Sequence, residues 1–146
     1  MDNRTKKDRQ LIREALKARQ RAYTPYSHYT VGAALEAQDG TVFRGCNIEN
    51  ASFGATNCAE RTALFTAVAE GYHRFSTIAI VSGPESADEE ELKTTPYPSP
   101  CGICRQALRE FADPGEFRVI LARSEEDYKV YALKELLPES FGPEYL

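Results

Sequence analysis

Ser76-Thr77-Ile78-Ala79-Ile80-Val81-Ser82 contains four consecutive apolar residues with no polar alternation. A run this short and this uniformly apolar reads as a strand buried on both faces, so other elements must cover it from two sides. Helical patterns flank it. Ahead of it, Cys58 to Glu70 places Ala63, Leu64, Ala67 and Val68 on one face and stops at Gly71; behind it, Cys101 to Phe111 is helical. Further upstream, Thr5 to Ala22 forms an amphipathic helix with Leu11, Ile12, Ala15, Leu16 and Ala22 on its apolar stripe. Thr5 is expected to cap it with Asp8 at the third helical position, and Pro25 to end it. Val31 to Ala37 and Thr41 to Ile48 read as strands joined by Gln38-Asp39-Gly40, where glycine accepts the positive φ of a hairpin turn. Phe117 to Ala122 and Tyr128 to Ala132 supply two more strands, and Glu135-Leu136-Leu137 a short turn closed by Pro138. The order α-β-β-α-β-α-β-β predicts an α/β fold, a mixed sheet of about five strands with helices on its faces, in one domain spanning residues 1–146.

Composition narrows the function classes. At 146 residues and 42% hydrophobic, the chain can bury a core without disulfides or a structural metal, so a metal is expected to serve chemistry. The formal net charge of −4, with no dense Lys/Arg stripe, argues against a nucleic-acid partner. Met1 to Gln10 is polar and charged, and no stretch approaches the roughly 18 apolar residues of a membrane span. A cytoplasmic protein is the expectation, and there four cysteines serve as ligands or reactive thiols rather than disulfides.

Three of those cysteines stand at helix starts. Cys101 and Cys104 are three apart, on one helical face, with Pro100 suited to the first turn. Cys58 opens the other helix. Unpaired N–H groups at a helix start favour thiolate over thiol, so three thiolates converging from two helix tips make a zinc site. Glu60 lies two residues past Cys58, and the two converge only on something beyond the helix tip, where the metal would sit. A three-ligand zinc keeps a position for water, and a nearby carboxylate shuttles its protons. Zn²⁺ with three thiolates sums to −1; Arg61 is placed to offset that charge against the sulfurs, with Gln106 also behind the ligands. Cys101-x-x-Cys104 by itself also fits a redox pair, a structural zinc half-site or chance. Cys46, inside a strand pattern, reads as core or close to it. Cys58-x-Glu60 together with Pro100-Cys101-x-x-Cys104 is the combination of zinc deaminases, in which the glutamate is not a ligand.

Five stretches, Tyr26 to Ala34, Gly45 to Ala51, Cys58 to Ala63, Pro100 to Gln106 and Glu135 to Pro143, resemble in order those of the small, homotetrameric cytidine deaminases. The resemblance implies a three-layer αβα sandwich and zinc-dependent hydrolysis of cytidine and 2′-deoxycytidine to uridine, 2′-deoxyuridine and ammonia. It implies zinc, one per subunit, on Cys58, Cys101 and Cys104, with Glu60 as proton carrier. Asn47 and Glu49 would take the ribose hydroxyls, Tyr29 and the Ala59 backbone would meet the nucleoside, and Phe53 and Phe141 would reach a neighbouring subunit's pocket. Tyr29 stands where the family usually has phenylalanine. A strand-like Asn47-x-Glu49 puts both side chains on one face, and a carboxylate there favours a nucleoside over a nucleotide. Gly83 to Ser99 is longer and more acidic than the family's usual link into Pro100, and reads either as a border of the pocket or as a solvated excursion. With Tyr29, it leaves a modified cytidine or an antibiotic such as blasticidin S as the alternative substrate. A non-catalytic zinc protein is the alternative from another class. His28 shows no partner in the sequence that would make it an acid or base, and His73 follows a helix end, where a cation is ordinary.

Overall fold

A computed structural model describes all residues, Met1–Leu146. Its frame is a five-stranded sheet in the order β2-β1-β3-β4-β5, from β1 (Tyr29–Ala37), β2 (Val42–Cys46), β3 (Phe75–Pro84), β4 (Arg118–Ala122) and β5 (Tyr128–Ala132). β1 is antiparallel to both β2 and β3, β3 and β4 are parallel, and β5 is antiparallel to β4. The sheet is mixed, as expected, and the apolar run of β3 sits at its centre.

Alternation along β3 explains the layers. Ile78 and Ile80 pack with Ala33, Leu35, Val119 and Leu121 under α2 (Ala59–Ala69) and α4 (Gly102–Phe111). Ala79 and Val81 face the other way, with Ala34 and Ile120, onto Leu11, Ile12, Ala15 and Leu16 of α1 (Asn3–Arg19). Period two thus feeds two cores from one strand, and the result is an αβα sandwich.

Two glycines let the helices lie close. A Cβ on Gly32 would stand 2.1 Å from the Ala15 carbonyl of α1, and one on Gly45 would stand 2.3 Å from the Ala59 carbonyl of α2. Gly45 therefore fixes how near α2, with its first-turn residues, approaches the sheet.

The helix start differs from the sequence reading. Asp2, not Thr5, caps α1, its Oδ1 accepting from the Thr5 amide at 2.8 Å. Asp8 is released from any capping role; it is buried and takes a two-bond pair from Arg118, both at 2.8 Å, tying α1 to β4. The helix also stops at Arg19, three residues early, because Tyr23 pairs with the segment after β2.

The Gly83 to Ser99 link is ordered: its acidic residues are exposed, and a few buried side chains anchor it. It holds a four-residue helix, α3 (Glu89–Leu92), closed by a reciprocal Asp88–Glu91 capping box. Leu92 is buried in the α1-side core, where burial contributes roughly 2 kcal/mol. The Arg19 guanidinium donates to the Pro84 and Ala87 carbonyls at 2.5 and 3.1 Å. Ordering backbone costs about 1–2 kcal/mol per residue, so these anchors leave the far half of the link needing its own. The short α5 (Leu133–Leu136) follows β5.

Gly45→Ala should cost roughly 2 kcal/mol or more through the forced shift of α2. Gly115→Ala, where the nearest atom is Asp113 Oδ1 at 3.5 Å, is the matched control and should melt near the parent temperature. Equal melting temperatures for the two variants in differential scanning calorimetry would contradict the close-approach account.

Candidate metal and active site

β1 begins, β2 and β3 end, and α2 and α4 start at one end of the sheet, and the candidate site residues collect there. Cys58 is the N-cap residue of α2 and Cys101 that of α4, neither side chain making a capping bond. Both thiols are thereby left free at helix tips, where first-turn amides lack intrahelical partners. Cys104 sits one turn into α4 and is fully buried.

The three Sγ atoms lie within 4.8 Å of one another, and Cys58 and Cys101 Sγ are 3.9 Å apart. Thiolates on a tetrahedral ion with bonds of about 2.3 Å lie roughly 3.8 Å apart, so the spacing and the all-sulfur donor set fit zinc. Cys46 is a free, half-buried thiol at the end of β2, outside this cluster, and burial pushes it upward from its ordinary pKa.

Charge is arranged around the cluster. The neighbouring Cys104 and Arg61 hold the Cys58 thiol down to about 5, and Cys58 together with burial pushes Cys104 upward. Zinc binds thiolates, so a bound cation would displace any proton on these sulfurs. The Arg61 Nη2 donates to Cys58 Sγ at 3.3 Å, as the spacing predicts. Glu60 is 5% exposed, and burial, with the Cys58 charge behind it, pushes its carboxyl up to about 7.

Cys58, Glu60 and Cys101 form one end of a cavity of about 320 Å³, bounded also by Tyr29, Val31, Asn47, Thr56, Asn57, Ala59, Ile80, Ser82 and the stretch Pro96 to Ser99. That is the size of small-molecule sites, and the lining mixes hydrophobic residues with the polar Asn47, Thr56, Asn57, Glu60, Ser82 and Ser99. A larger groove of about 720 Å³ lies at the opposite end of the sheet, lined by charges of both signs and none of the thiols. Cys58, Cys101 and Glu60 line the smaller one.

Other expected residues have more to do than the sequence indicated. Asn47 lies just past the end of β2; its Oδ1 accepts from Val31 N and its Nδ2 donates to the Tyr29 carbonyl, both at 2.9 Å. Glu49 accepts from the Tyr26 and Ser27 amides at 3.0 and 3.1 Å and from the Ser27 hydroxyl, and the Ser27 bonds hold its carboxyl below the usual range. Neither residue lies in a strand, so period two does not govern them. Asn47 borders the cavity and Glu49 stands outside its lining.

Tyr29 faces the cavity with its hydroxyl 3.2 Å from Ser82 Oγ. Gln106 donates to the Phe141 carbonyl at 2.9 Å. Phe53 and Phe141 are 78% and 56% exposed and lie outside the cavity of their own chain. His28 has a partner after all, Glu85 at 3.0 Å, on the link after β3. His73 packs against Phe111. The Pro96 to Ser99 end of the link borders the cavity, one of the two readings the sequence allows, whereas nothing in the sequence points to Ser82.

The model of the cytidine and deoxycytidylate deaminase zinc-binding region matches residues 5–120. The cytidine deaminase of Halalkalibacterium halodurans is 49% identical over 138 residues, 94% of this chain and 96% of that one. That of Sporosarcina psychrophila is 45% identical over 136 residues, 93% and 92% of the two chains. The crystal structure of cytidine deaminase from Burkholderia pseudomallei superimposes with a TM-score of 0.79 at 43% identity, covering 97% of this chain and 100% of that one.

Cys104→Ala should lower bound zinc from about one per chain to a small fraction, whereas Cys46→Ala should leave it unchanged. Elemental analysis of the two purified proteins, giving equal zinc, would rule out the ligand set.

Proposed function

The chain belongs to the cytidine and deoxycytidylate deaminase family, and from that premise we propose that its small cavity takes cytidine and 2′-deoxycytidine and releases uridine, 2′-deoxyuridine and ammonia. The observation that carries this is the buried Glu60 carboxyl beside three gathered thiols on the wall of a nucleoside-sized cavity.

Cys58, Cys101 and Cys104 hold the zinc. When bound, it supplies the Lewis acidity that makes water a nucleophile near neutral pH. Glu60 does the proton work: its carboxyl gives a proton to ring N3 and another to the departing N4 amine, taking both from the water consumed. A carboxyl buried beside the metal ligands suits both halves of that task, since it must be acid and base in one turnover. Arg61 offsets the excess thiolate charge, keeping the donor set from weakening the metal as an acid.

Ala59 and Tyr29 flank the base, and Asn47, fixed by its two backbone bonds, keeps one amide hydrogen for the sugar. Glu49 already accepts three bonds, yet a carboxylate has about four acceptor positions, so one remains for a ribose hydroxyl. An anion at this rim repels a 5′-phosphate and favours a nucleoside. No helix is long and apolar enough to cross a membrane. Phe53 and Phe141, exposed and aromatic, are proposed to complete the pockets of neighbouring subunits in a homotetramer.

Cytidine should lose its ultraviolet absorbance on adding zinc-loaded protein, with ammonia appearing in equal amount. Glu60→Ala should keep zinc and lower kcat by roughly a hundredfold or more. Persisting turnover in that variant would remove Glu60 from the mechanism, and an active monomer on a sizing column would remove the shared pocket.

A further inference from the structure

The stretch Pro96-Tyr97-Pro98-Ser99 forms one wall of the cavity and leads, two residues later, into Cys101. It therefore stands at the metal end, where the reacting ring must lie. Prolines at positions 96, 98 and 100 fix φ at every second residue, so the wall is a stiff extended rod rather than a flexible loop. A stiff rod is placed by its ends. One end is Cys101 at the start of α4.

The other end is Tyr97, held from the turn between β4 and β5. Its hydroxyl donates to Asp127 Oδ1 and accepts from Arg123 Nη2 at 3.1 Å. Arg123 Nε donates to Asp127 Oδ2 at 3.0 Å, and its Nη1 reaches the Thr95 carbonyl at 3.4 Å. The Arg123 guanidinium lies 4.1 Å from the Tyr97 ring centroid and Lys129 Nζ 4.3 Å, so the ring is also a cation–π partner for both. Asp127 is held below the usual carboxylate range, first by the Tyr97 hydroxyl. Around the far end of the wall, then, four polar and cation–π contacts converge on the Tyr97 side chain.

We propose that Tyr97 is a specificity-determining wall residue, and that Asp127 and Arg123 are the positioning residues that set how closely this wall approaches the base. The proposal rests on the cytidine reading above. A wall fixed in this way acts on substrate and product binding alike and leaves the proton transfers at Glu60 untouched. It also limits the room for substituents on the pyrimidine.

Tyr97→Phe keeps the ring and deletes the hydroxyl; Asp127→Asn keeps the shape and deletes the charge. Each should raise the cytidine KM roughly threefold to tenfold, with kcat within about twofold of wild type and zinc content unaltered. The dissociation constant of uridine, read by calorimetric titration, should weaken by the same factor. The double variant should resemble either single one, because both remove the same link. Tyr97→Ala should raise the ratio of kcat/KM for 5-methylcytidine to that for cytidine by roughly fivefold or more. Should Asp127→Asn prove unstable, Tyr97→Phe carries the comparison. Unchanged KM and uridine affinity in the variants, a loss confined to kcat or melting temperature, or additive effects would each overturn the proposal. Wild-type protein that leaves cytidine unchanged would defeat the deaminase reading and this proposal with it; wild-type turnover with unaffected variants defeats the proposal alone.

Discussion

Three thiols within 4.8 Å of one another cannot all be thiolates without compensating positive charge, and the fold is built to provide it. Helices α2 and α4 both start at the cluster, with first-turn amides left unpaired and directed toward it. Arg61 adds a full charge on Cys58. The remaining deficit is one divalent cation. Gly45 belongs to the same constraint, since α2 can bring Cys58 and Glu60 to that point only by lying against a strand with no side chain there.

The same end of the molecule links the metal ligands to the C-terminal segment. After Cys104, α4 presents Arg105, Gln106 and Arg109 in succession. Arg105 Nη1 donates to the Leu136 carbonyl at 2.5 Å, Gln106 to that of Phe141 at 2.9 Å, and Arg109 to Ser140 Oγ at 2.7 Å and to Glu144. Gly142 is pressed against the Arg109 guanidinium, where a Cβ would lie 2.4 Å from Cζ. One ten-residue helix thus begins at the zinc ligands and ends by fixing the backbone that carries Phe141. A shift of α4 would be felt in both places.

What was legible in the sequence was local. The Cys101–Cys104 spacing, the helix tip under Cys58 and the two-sided burial of Ile78 to Val81 each follow from a period of 3.6 or 2, and they fix the thiols, Glu60 and the layering. The cap of α1 was misread for a local reason too: Asp2 competes with Thr5, and Asp8 looked like a capping partner when its real partner, Arg118, is 110 residues away. Asn47 and Glu49 mark where periodicity ended. Beyond β2, their orientation is set by bonds to Val31, Tyr26 and Ser27, which no spacing rule encodes.

Ordering of the acidic link is the clearest case of the same limit. Its charges (Glu85, Asp88, Glu89, Glu90 and Glu91) suggest solvent, and all five are indeed exposed. Yet its course is set by three side chains that the charge pattern obscures. Leu92 buries against Gly83, Arg19 takes two of its carbonyls, and Tyr97 reaches the β4–β5 turn 30 residues on. Each anchor joins the link to a different element: the end of β3, α1 and the β4–β5 turn. A segment tied to three elements cannot move with only one of them, so its position reports the packing of the whole sandwich. That is a physical reason for a cavity wall to be built from it: the distance between wall and metal is then set by the fold and not by the loop.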